Sequence, residues 1–201
     1  MTDRILTADE LEAALRAIGA ERYHNLHPFH RALHAGLLTK GQVQAWALNR
    51  YYYQASIPAK DASLLARLPT AELRREWRRR LEDHDGTEPG TGGIARWLKL
   101  TAGLGLDNGY VESLDGLLPT TRFAVDAYVR FVREPSLLEA ISSPPPEVFS
   151  PPLPSARMLR MLGNHSFIPQ LTLAYFDPQL TQPLPSSSFA LAYLPKHAQP
   201  P

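Results

Sequence analysis

The chain has 201 residues, 44% of them hydrophobic and 20% charged, with a formal net charge of +1. That is enough for one domain with a real core, and the charge balance gives no reason to expect nucleic acid or an anionic membrane as a partner. With no cysteine, disulfides, thiolate metal sites and a thiol nucleophile are excluded; with no apolar run of about 18 residues and no secretory pattern at the N-terminus, the expectation is a soluble cytoplasmic protein.

Thr7 and Glu10 form a capping box. It opens a helix with Leu11, Leu15 and Ile18 inward and Gly19 near its end. The stretch from Tyr23 to His34 then holds His24, His27, His30 and His34, four of the seven histidines. Pro28 suits the first turn of a short helix and Gly36 its end. The i, i+3, i+7 spacing of His27, His30 and His34 invites a metal reading, but no acidic ligand stands beside them, and a surface or packing role is the stronger one. Glu21 and His24 have the Glu-x-x-His spacing of di-iron bundles, in one copy only.

A second capping box, Thr39 with Gln42, starts the central helix. At about 100° per residue, Val43, Trp46 and Ala47 share a stripe. The same stripe then carries Arg50, Tyr53 and Gln54, and reaches Lys60 and Asp61 if the helix continues past Pro58. An apolar stripe that turns into Arg, Tyr, Gln and Lys is what one helix contributes to a buried polar cavity; a salt-bridge network, or a stripe that simply surfaces, is the alternative. The next helix, from Thr70 to about His84, repeats the pattern. Leu73, Trp77 and Leu81 lie on one stripe with Arg80 and His84, while Arg74, Arg75, Arg78 and Arg79 read as a solvated face.

Gly86 to Gly93 reads as a flexible connection and a candidate lid, not as a phosphate loop, because no strand precedes it and the Gly-Lys-Ser/Thr ending is absent. Further helices are expected over Ile94–Leu106, from Thr121 with Ala124, Ala127, Tyr128 and Phe131 inward, and from Ser136, which caps with Glu139. No period-2 segment of useful length occurs, so the fold class is all-α. Pro144, Pro145, Pro146, Pro151, Pro152 and Pro154 then break the pattern. The expected organisation is a single domain, in which residues 1–143 form a helical bundle carrying most of the pocket and 144–201 a Pro-rich region.

Several stretches together resemble the pyrroloquinoline-quinone synthase family: Tyr23-His24 with His27-Pro28; Asn49 to Gln54 with Ile57 to Ala62; Arg80 to Gly86; Gly92-Gly93-Ile94 with Trp97-Leu98; and Arg122 to Tyr128. The likeness covers about residues 8–143 and continues more thinly beyond. It implies a haem-oxygenase-like helical bundle, a homodimer, and a small polycarboxylate as substrate. It also implies a reaction: a bicyclic tricarboxylic precursor closes its last ring and loses eight electrons to O2, giving the quinone (PQQ) and hydrogen peroxide without a metal or flavin cofactor. Carried over by position, His84 is a general acid/base beside the oxygen site, Arg80 and Tyr175 complete the catalytic set, and His24, Arg50, Tyr53, Gln54, Lys60 and Tyr128 contact substrate. The family pattern has threonine, histidine and arginine where this chain has Pro146, Pro154 and Gln179, and further helix with another site lysine past Pro201. A relative that binds the quinone without turnover is therefore the alternative reading. A metal oxidase using Glu21, His24 and His84 is a third.

Overall fold

Side-chain caps set where the helices start. The computed structural model describes residues 6–143, 162–169, 172–173, 193–194 and 197. Among these it has eight α-helices and no strand: α1 (Ala8–Arg22), α2 (Pro28–His34), α3 (Lys40–Leu65), α4 (Ala71–Asp85), α5 (Gly92–Gly103), α6 (Asn108–Ser113), α7 (Pro119–Arg133) and α8 (Leu137–Ser142), with a 3₁₀ turn at His24–Leu26. Thr7, Thr39 and Ser136 form the expected capping boxes, and the Thr70 hydroxyl accepts from the Leu73 amide to start α4. Helix α6 adds to the expected helices; Asp107 starts it by accepting from the Tyr110 amide.

Helix α3 is the hub. It spans 26 residues and runs through Pro58 without a break. It packs against α4, α5 and α7, and its far end touches α8. Two apolar cores form on it. In the first, Val43, Ala47 and Tyr51 meet Trp97, Leu100 and Leu104 of and just beyond α5, and the Trp97 indole donates to the Ala47 carbonyl at 2.9 Å. In the second, Leu64 and the following Leu68 meet Leu73, Trp77, Val132, Ala140 and Ile141. Burying a side chain as large as Trp77 or Trp97 contributes about 3 kcal/mol. The polar side chains Tyr53, Gln54 and Lys60 of α3 lie along the helix between the segments that build the two cores. Arg67 closes the far end by donating to the carbonyls of Val132 and Pro135.

Three details differ from the sequence expectation. Ile18 does not face inward: it is 54% exposed. Helix α7 buries Val125 and Val132, with Tyr128 half-buried, while Ala124 and Ala127 are exposed and Phe131 is 45% exposed. Both faces of α7 carry apolar residues spaced three and four apart, so periodicity alone did not select the one that α3 covers. The Gly86–Gly93 connection is a tight turn. Gly86 and Gly92 have φ of 82° and 83°; a Cβ on Gly86 would overlap Thr91, and one on Gly92 would overlap the Gly86 amide nitrogen. Pro146, Pro154, Tyr175 and Gln179 lie outside the described residues.

Candidate active site

Asp61 and Arg80 come to the same point because α3 and α4 pack with their titratable stripes facing. Lys60, Asp61 and Arg80 are 3%, 0% and 6% exposed. One oxygen of the Asp61 carboxylate lies 2.8 Å from Lys60 Nζ and accepts from Trp77 Nε1 at 3.2 Å; the other takes Arg80 Nε at 3.4 Å. Isolated charges at such depth would each cost several kcal/mol. One carboxylate between two cations offsets most of that.

Next to the cluster is a ladder of rings and cations. Lys60 Nζ sits 5.2 Å from the centre of the Tyr128 ring. Tyr128 and Tyr53 are parallel within 9°, with centroids 6.3 Å apart. The Arg50 guanidinium lies 4.2 Å over Tyr53 on a more exposed part of α3. Burial pushes the Tyr53 phenol above its ordinary value and Tyr128 pushes the same way, while Arg50, Lys60 and Arg80 pull it down. A net rise leaves Tyr53 a neutral hydrogen-bond donor near pH 7. The Tyr128 hydroxyl donates to the Ser143 carbonyl at 3.1 Å, which fixes its ring.

Gln54 is half-buried one residue beyond Tyr53. Pro58, four residues on, has no N–H and so removes the helical bond that would end on the Gln54 carbonyl. His84 is half-buried one turn beyond Arg80, and its Nδ1 lies 2.9 Å from the Arg80 carbonyl. If Nδ1 carries the proton, Nε2 is the atom left to exchange one. The tight Gly86–Gly92 turn brings the first turn of α5 onto this histidine, so that a Cβ at Gly93 would stand 3.5 Å from His84 Cδ2. Thus the structure draws Arg50, Tyr53, Lys60, Arg80 and Tyr128 into one neighbourhood, with Gln54 and His84 on the flanking turns.

His24 is exposed, with its ring 4.0 Å from Tyr23 and 4.4 Å from His30. These rings line an open cleft of about 610 Å³ that also includes Glu21, Arg22 and His27. Among the described residues, no three His, Asp or Glu side chains converge on a point that would hold a metal ion. Sequence reasoning placed Asp61 on the polar stripe but gave it no role, and it did not foresee Trp77 as a donor. A tryptophan one turn before Arg80 on the same stripe was the available signal.

Relatives share this chain nearly end to end. It is 70% identical over 200 residues to "Pyrroloquinoline-quinone synthase" of Granulibacter bethesdensis, which covers 100% of this chain and 78% of that protein. It is 70% identical over 197 residues to the protein of the same name in Gluconobacter oxydans, covering 98% and 82%. It is 62% identical over 198 residues to "Bifunctional coenzyme PQQ synthesis protein C/D" of Methylorubrum extorquens, covering 98% of this chain and 53% of that one. A family profile described as TENA/THI-4/PQQC matches residues 12–200. Together with the all-helical fold organised on α3, these likenesses place the chain in the TENA/THI-4/PQQC family.

Proposed function

We propose that this protein is a pyrroloquinoline-quinone synthase. It takes the bicyclic tricarboxylic precursor, closes the last ring and passes eight electrons to O2, giving the quinone with hydrogen peroxide as a product. The observation that carries this reading is the 70% identity to proteins of that name over essentially the whole chain. The side chains agree with it: Lys60, Arg80 and Arg50 are cations suited to a compact polyanion, and Arg grips carboxylates through a planar fork.

In this reading Lys60, Arg80 and Arg50 hold the substrate's carboxylates. Tyr53, Tyr128 and Gln54 contact its rings and polar edge. His84 moves protons at the reacting carbon and oxygen, the general acid/base role that the resemblance gives it. Tyr175, outside the described residues, assists at the oxygen site, and His24 contacts substrate from the α1–α2 side; both roles rest on the resemblance. The electrons come from the substrate itself, which is electron-rich once deprotonated, so the reading is cofactor-free with O2 as co-substrate. It further includes a cytoplasmic location and a homodimer. The outer face of α7, with Phe123 75% exposed next to Ala127 and Phe131, is apolar surface that such a dimer would cover.

The test is to mix purified protein with precursor in air and follow the quinone absorbance and peroxide. Both rise together if the reading holds. Precursor that is bound but unchanged would overturn it, and stoichiometric iron or manganese in an active preparation would overturn the cofactor-free part.

A further inference from the structure

We propose that Asp61 is a positioning residue for the anion site: its carboxylate sets the spacing and direction of Lys60 and Arg80 before substrate arrives. The inference rests on the functional reading above and goes beyond it, because Asp61 touches neither substrate nor oxygen in that account.

The geometry is specific. Lys60 precedes Asp61 on α3, so its ammonium has to fold back to reach the Asp61 carboxylate at 2.8 Å. A four-carbon stem has many rotamers, and a fully buried anchor removes most of them. Trp77 and Arg80 are three apart on α4 and face Asp61 together. The indole N–H has a single direction, so its 3.2 Å bond to Oδ1 fixes the carboxylate plane. The second oxygen then takes the Nε edge of Arg80. A guanidinium is planar, so fixing that edge fixes where its remaining N–H groups point. Trp77 therefore holds Asp61, and Asp61 aims both cations.

Electrostatics supports the same division of work: the buried Asp61 carboxylate holds two like charges close together. Without Asp61 the two cations would repel and turn toward other acceptors, and each incoming ligand would have to order them afresh.

The test compares Asp61→Asn with Asp61→Glu, using pyrroloquinoline quinone itself as the probe and the wild-type chain as reference. Asparagine keeps the size and the bond from Trp77 but loses the charge; glutamate keeps the charge but is longer. Positioning by charge predicts that the dissociation constant rises about tenfold or more in Asp61→Asn and stays within about threefold in Asp61→Glu. A role in filling space predicts the reverse order, so asparagine binding as well as or better than glutamate overturns the inference. If Asp61→Asn does not fold, Asp61→Glu decides. A folded glutamate variant within about threefold supports the inference, and one weakened more than about tenfold overturns it. If neither variant folds, the carboxylate serves folding alone and the inference fails. A wild-type chain that neither binds the quinone nor converts the precursor sinks the functional reading instead, whereas a wild-type chain that binds alongside a tolerant Asp61 sinks only this inference.

Discussion

The Asp61 cluster between α3 and α4 and the histidine cleft around α2 are both rich in titratable side chains, yet the fold treats them differently. In the cluster, Lys60, Asp61 and Arg80 are withdrawn from water and tied to one another and to Trp77. In the cleft, His24, His27 and Arg22 are exposed. The difference teaches that titratable residues are withdrawn from water when two helices bury them from opposite sides. Around the short α2, whose one buried residue is Leu33, His27 stays exposed while His30 and His34 are half-buried. Low dielectric strengthens each interaction in the cluster, while solvent screens the cleft.

The sharpest way to break this comparison is to remove one cation from each region. Arg80→Gln should lower kcat/KM for the precursor about a thousandfold, whereas Arg22→Gln should change it by less than about twofold. Equal effects would end the distinction. Next in size is a histidine pair. His84→Gln should lower kcat about a hundredfold with KM nearly unchanged, as expected for lost proton transfer, and His27→Gln should leave both within about twofold.

How much of this was legible beforehand varies with the physics involved. The helix starts at Thr7, Thr39 and Ser136 were readable because a capping box is local chemistry, complete within four residues. The polar stripes of α3 and α4 were readable because helical phase survives over long helices, even past Pro58. The buried face of α7 was not, since Val125 and Phe131 lie on competing apolar faces and only the position of α3 decides between them. The Asp61 hub was half legible. Its place on the stripe followed from spacing, but its three partners come from two helices, and no periodicity within one of them reveals that.

His24 offers a smaller and more discriminating test, because the resemblance gives it a substrate contact and the structure sets it in the cleft. His24→Ala should raise KM about threefold to tenfold without changing the melting temperature. A result matching His27→Gln would remove His24 from the site. The smallest effect concerns Tyr53. Its phenol is raised above the ordinary 10.0 by burial. The unfolded chain therefore ionises first as pH climbs past about 10, and stability present below that pH is lost until the folded phenol ionises too. Tyr53→Phe should flatten part of that alkaline loss, seen as a smaller drop in the urea midpoint between about pH 9 and pH 11. An unchanged drop would mean that Tyr53 is more solvated than its place between Arg50 and Tyr128 suggests.

The most direct measurement is a crystal structure with pyrroloquinoline quinone soaked in. The account predicts quinone carboxylates within hydrogen-bond distance of Lys60 Nζ and the Arg80 guanidinium, with Asp61 still holding both and His84 on the flanking turn. A quinone seated in the cleft of His24, His27 and His30, with the Lys60–Asp61–Arg80 cluster untouched, would contradict it.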